Sequence, residues 1–195
     1  MRTVLPNIVR LRTIAFSVNF HQTAEDGPVL VSEVPTTELS AREALPSDEI
    51  DRALLAYRPE SRFLNQAWYT PRTLLAFARP FDHPYHEPWV KHFTREHAVV
   101  YATQVSYLLI ASAIERGDFT DLTQEEFLHC CRSEEALISS LDIRFLRRAP
   151  VPERVEIAAS MIEVRHRNSA VFVRCQYRIT DIVKLDAWLT APCKA

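Results

Sequence analysis

A chain of 195 residues that is 47% hydrophobic and 25% charged holds one domain with a well-formed core, and too little for two large ones. Its formal net charge of −2 carries neither the basic surplus that draws nucleic acid nor an acidic one. With glycine only at Gly27 and Gly117, the glycine-rich phosphate loops of nucleotide-binding folds are excluded.

Residues 1–46 read as an N-terminal extension: a strand-like run over 8–20, then turn and linker chemistry around Gly27, Pro28, Pro35 and Pro46. Arg2, Arg10 and Arg12 break up its apolar residues, so no secretory signal is expected and the chain is read as cytoplasmic. Ser47 is placed to cap a short helix over 48–57, whose first turn is acidic. Two β-like runs, 63–70 and 73–81, are joined by Pro71-Arg72 and predict a hairpin. An aromatic and His-rich loop follows over 82–93.

Thr94 then caps a long segment ending at Gly117 that is apolar on every side from Ala98 to Ile114. Its length sits at the lower limit for crossing a bilayer, and Gln104, Ser106 and Tyr107 interrupt it, so it reads as a core helix. A shorter amphipathic helix spans 123–133. Beyond it, period-two alternation starts at Leu141 and recurs from Val155, Val171 and Val183, which predicts four antiparallel strands with one covered face. Cys130, Cys131, Cys175 and Cys193 do not form a disulfide framework, and adjacent cysteines rarely reach one tetrahedral ion, so no metal is expected.

A sheet with one face to bury and a helix with no wet side have a simple joint solution: the sheet curls around the helix. The expected fold is therefore α+β, an antiparallel sheet of about six strands wrapped around a long central helix over 47–195, the hotdog arrangement. The helix's remaining side then needs a loop or a partner subunit.

His92 and Phe93 before this helix, Gln104 and Tyr107 inside it, and Tyr57 closing the helix before it give a joint spacing that resembles the FcoT-like long-chain acyl thioesterases of the hotdog superfamily. The resemblance implies a homodimer with sites at its interface, acting on acyl groups carried by coenzyme A or an acyl carrier protein, with no cofactor. For some relatives it implies a coupled conjugate addition of an amino acid to an α,β-unsaturated chain. The family pattern departs here where chemistry is done. Thr94 stands for an asparagine, His97 for an acid and Thr103 for a second asparagine, while the pocket tyrosine falls on Tyr85 or His86.

Thioester hydrolysis needs a polarised carbonyl and an activated water. The first turn of a buried helix offers N–H groups and a positive dipole end to a developing oxyanion. Thr94 and His97 stand there, and neutral imidazole can take a proton from water near its ordinary pKa of about 6.5. Tyr57 can donate to the carbonyl from the facing loop. His92 seeds an alternative, a dehydratase or hydratase of 3-hydroxyacyl and enoyl thioesters. A further alternative is an acyl-binding hotdog protein without turnover.

Tyr85 and His86, with Gln104 and Tyr107, are expected to line the acyl or pantetheine channel. Arg58, Arg62 and Asn65 surround a turn near its mouth, where an arginine can take a carboxylate. From 144 to 178 there are eight arginines against three acids, a face suited to a phosphate-bearing arm or an acidic carrier. No stacking motif for nucleic acid accompanies it.

Overall fold

A computed structural model describes residues 42–81, 92–133, 135–167 and 169–193. The strand expected over 8–20 and the loop carrying Tyr85 and His86 lie outside the described residues.

The element order is β1 (Glu43–Ala44), α1 (Ser47–Ala53), β2 (Leu64–Thr70), β3 (Thr73–Ala78), α2 (Arg95–Glu115), α3 (Gln124–Arg132), β4 (Leu137–Phe145), β5 (Val155–Arg167), β6 (Ala170–Ile179) and β7 (Val183–Pro192). The strands form one antiparallel sheet of seven, ordered β1-β2-β3-β5-β6-β7-β4. One strand more than expected comes from β1, which pairs with β2 and draws Glu43 and Ala44 into the sheet ahead of the expected start at 47.

The alternation seen in sequence is the alternation of burial. Val155, Ile157, Ala159 and Met161 of β5 are at most 5% exposed and face α2, while Glu156, Ala158 and Ser160 face outward. α2 is the one helix among the described residues long and apolar enough to cross a membrane, and 78% of its most apolar window is buried inside the fold. Small side chains on both partners, Ala76, Ala159 and Ala187 on the sheet and Ala98, Ala102 and Ala113 on the helix, are at most 2% exposed. They let the helix axis approach the sheet while the larger residues interlock around it. The hotdog arrangement expected from the sequence is the one observed.

Local chemistry fixes the ends. At the close of α2, Gly117 takes φ 74°, its N–H donates to the Ile114 carbonyl and the Asp118 N–H to that of Ala113. That is a Schellman motif, which needs a residue tolerant of the left-handed region. α3 is held by a reciprocal box, the Glu126 N–H donating to Thr123 Oγ1 and the Thr123 N–H to the Glu126 carboxylate. In the β2–β3 hairpin Arg72 carries φ 60°.

α1 departs from expectation. Ser47 is its first helical residue and Pro46 occupies the cap, without a side-chain bond. The helix stops at Ala53, short of the expected 57, and Arg58 is extended ahead of Pro59. Its anchor is ionic: buried Glu49 accepts from Ser112 Oγ at 2.7 Å and from Arg116 at 2.9 Å, and Arg116 also reaches Glu43 at 2.7 Å. The trailing end of α2 is thereby tied to both α1 and β1.

All four cysteines are free; Cys130, Cys131 and Cys175 are buried and Cys193 is half-buried. Burial pushes the thiols of Cys131 and Cys175 up to about 12. In the native protein at pH 8 a thiol reagent such as DTNB is expected to label Cys193 first. The other three should react only as fast as the chain unfolds, read as a slow phase that denaturant converts to a fast one.

Candidate active site

The leading end of α2 is an aromatic box. His97, 2% exposed, lies between Phe81 and Phe93, with ring centroids 4.8 and 5.3 Å away. Phe63 stacks on Phe81 at 4.3 Å, and Tyr101 completes the group, donating its hydroxyl to the Arg79 carbonyl at 3.0 Å. The chain enters this box through Phe93, whose N–H donates to the Ala149 carbonyl, and through His92, which bridges to Pro150.

His97 forms a capping box with Thr94. Its Nε2 lies 3.1 Å from the Phe81 carbonyl, which can only accept, so the proton sits on Nε2 and Nδ1 is the acceptor. Nδ1 then receives the Thr94 N–H at 3.2 Å and the Thr94 hydroxyl at 2.7 Å. Both ring nitrogens therefore hold the helix start against the strand end. A base needs an open lone pair aimed at water, and this ring's lone pair is aimed at Thr94.

Tyr57 sits elsewhere. Its ring is 5.9 Å from Tyr107, on the part of α2 that carries Thr103. Thr103 donates its hydroxyl proton to the Val99 carbonyl at 2.8 Å. Burial, reinforced by Tyr107 and Cys131, holds the phenol well above the ordinary tyrosine range, so it stays protonated. Thr103 is six residues beyond His97, about 9 Å along the helix at 1.5 Å per residue, and on a different face. The structure does not bring Tyr57 and His97 to one carbonyl.

The remaining candidates divide in the same way. Gln104, fully buried, accepts from the Phe63 N–H at 2.9 Å and donates to the Ser61 carbonyl at 2.7 Å. It ties the turn before β2 to the helix. Arg62 donates to the Tyr57 carbonyl at 3.1 Å and reaches Asp51 at 3.4 Å, so it braces the same turn. Arg58 is exposed, as is Asn65, which occupies a break in the β2–β3 register. Tyr107 points its hydroxyl at the Ala136 carbonyl, 3.4 Å away.

α2 is not closed on every side. Glu96, Val99, Val100 and Thr103 are half-exposed and lie at i, i+3, i+4 and i+7, so they form one stripe down its leading half. Beside the stripe stand Tyr57 and Tyr107. This is an apolar flank with a carboxylate at its upper end and the Thr103 hydroxyl about 10 Å below. Sequence reading passed over Glu96, whose place beside His97 hides that the two side chains leave the helix about 100° apart; helical spacing from Thr103 would have found it.

No family model matches the chain, and no curated protein does. Among solved structures, the dehydratase domain from the CurJ module of curacin polyketide synthase is similar at 13% identity and TM-score 0.52, over 84% of this chain and 54% of that one. The dehydratase domain of RzxB from Pseudomonas fluorescens is similar at 12% identity and TM-score 0.52, over 78% of this chain and 50% of that one. This chain thus spans about half the length of those domains. A hypothetical thioesterase with coenzyme A from Streptococcus pneumoniae matches at 8% identity and TM-score 0.44, over 76% of this chain and 98% of that one. At such identities the likeness is one of fold, and the fold is the hotdog.

Gln104→Leu leaves a buried N–H and a buried carbonyl unpaired and should cost about 1–3 kcal/mol. His97→Ala removes the cap bonds together with a buried ring and should cost about 2–4 kcal/mol. Equilibrium unfolding in urea checks both.

Proposed function

We propose that this protein acts on acyl thioesters, hydrolysing an acyl group carried by coenzyme A or an acyl carrier protein. The observation that supports the reading is the half-open apolar stripe on an otherwise enclosed helix, running from the helix N-terminus past Val99 and Val100 to Thr103, with Tyr57 and Tyr107 beside it. An acyl chain is complementary to such a flank. Its thioester carbonyl then falls near the first-turn amides, which favour a developing oxyanion.

In this reading Glu96 is the base. It takes a proton as water attacks the carbonyl carbon, and the tetrahedral intermediate expels the thiolate, which leaves as a free thiol. Thr94 and His97 shape the helix start that receives the oxyanion, while Tyr57, Thr103 and Tyr107 line the chain-binding flank. The protonated Tyr57 is a neutral donor for a polar or unsaturated group on that chain. The homodimer that the resemblance implies would close the flank from outside.

A second reading has its own support. The histidine best placed for base catalysis is held by Thr94 and Phe81, an arrangement that also suits an acyl-binding protein without turnover.

Purified protein should be given saturated and α,β-unsaturated acyl-CoA and acyl-carrier substrates with a thiol-trapping dye. Thiol release is expected, with Glu96→Gln lowering kcat about 100-fold. Acyl thioester bound without thiol release selects the second reading. Interconversion of enoyl and 3-hydroxyacyl thioesters without thiol release, abolished by His92→Ala, selects a dehydratase.

A further inference from the structure

The open stripe of α2 has a definite end. Carried on at the same helical spacing, Glu96, Val99, Val100 and Thr103 are followed by Tyr107 and Ile110. The first four are half-exposed, whereas Tyr107 is 9% and Ile110 2% exposed. Three contacts enclose the helix there. The Tyr107 ring meets Phe127 of α3 edge to face at 6.2 Å, its hydroxyl points at the Ala136 carbonyl just before β4, and Tyr57 stands 5.9 Å away. Helical side chains lean towards the N-terminus, so the Tyr107 ring covers the turn ahead of its own Cα, near the level of Thr103.

Beyond this ring, Ile110, Phe127, Ala136 and Leu189 help to line an apolar hollow of about 10 Å³, room for one water at most. Phe127 and Ala136 are also the partners of Tyr107. One ring therefore parts the stripe from a closed apolar space further down the helix.

A wall at that level sets a length. From the first-turn amides at Arg95 to the level of Thr103 is about 12 Å, at 1.5 Å per residue. An extended chain advances about 1.2 Å per bond and keeps about 4 Å from the atoms it meets. About seven bonds then fit beyond the carbonyl carbon, which makes an acyl group of about eight carbons. A long chain, of the kind the family resemblance implies, would meet the ring before its own end.

We propose that Tyr107 is a length stop, and that the substrates of this flank are acyl groups of short to medium length, up to about eight carbons. The proposal rests on the reading above that this flank holds the acyl chain, and adds which chain it holds.

The test measures binding apart from turnover. Non-hydrolysable S-alkyl-CoA thioethers, with chains from about 4 to 16 carbons, are titrated into wild type, Tyr107→Ala, Tyr107→Phe and Thr103→Phe, each checked for folding by circular dichroism. In wild type, affinity should rise up to about fourfold per added carbon and break near eight carbons. Tyr107→Ala opens the way into the hollow and should move the break about four carbons longer, one helical turn at about 1.2 Å per bond. Thr103→Phe puts a ring one turn nearer the carbonyl and should move it about four carbons shorter. Tyr107→Phe keeps the ring and should leave the break in place. A wild-type affinity that climbs steadily to the longest chain, or a break unmoved in the folded variants, would overturn the proposal. If Tyr107→Ala does not fold, Thr103→Phe decides alone, at a position that is already half-exposed. The matching acyl-CoA series with the thiol-trapping dye separates this stop from the reaction. A break in binding without thiol release overturns hydrolysis and leaves the stop standing; thiol release without a break does the reverse. No binding at any length overturns both.

Discussion

The enclosure of α2 is the constraint on which everything else in this molecule depends. A helix apolar around its whole circumference is unfavourable in water, at about 25 cal/mol for each Å² left exposed, and a curled antiparallel sheet covers most of that circumference at once. The covering requires alternation along every central strand, alanines where helix and sheet come closest, and turns that bring each strand back antiparallel. Those features recur from β3 to β7.

Enclosure also explains why the polar groups of α2 are bonded as they are. Ser106 cannot reach water, so its hydroxyl serves the Ala102 carbonyl and Tyr177, both at 2.6 Å. Gln104 serves the backbone of the turn before β2, and Ser112 serves Glu49. An unpaired polar group in such a core costs about as much as a fair share of a domain's net stability, which makes these side chains braces. The leading end follows the same logic, with His97 and Thr94 closing the helix start among aromatic rings. What is left for chemistry is the stripe that the sheet does not cover.

The surface proposed for recognition, the flank of α2, is apolar with a few hydroxyls and one carboxylate, matched to a chain with a single reactive group. The sheet's outer face is ionic and largely satisfied within the chain, Asp186 being held by both Arg174 and Gln176.

The fold was legible in the sequence because it rests on periodicity: alternation marks strands, and an apolar run without a polar face marks a helix that must be surrounded. Caps and stops were legible for the same local reason, at Thr94 and Gly117. Ser47 misled, since a residue's cap chemistry does not say where a neighbouring proline will let the helix begin. The roles of side chains were decided by tertiary contact. Whether His97 offers a lone pair to water depends on Thr94 and Phe81, and Phe81 is sixteen residues away. Whether Tyr57 meets His97 depends on which face of the helix each adjoins. Whether a run of arginines makes a cationic face depends on acids that strand pairing brings in from β4 and β7. Local physics writes the elements into the chain, whereas bond partners distant in sequence exist only once the chain has folded.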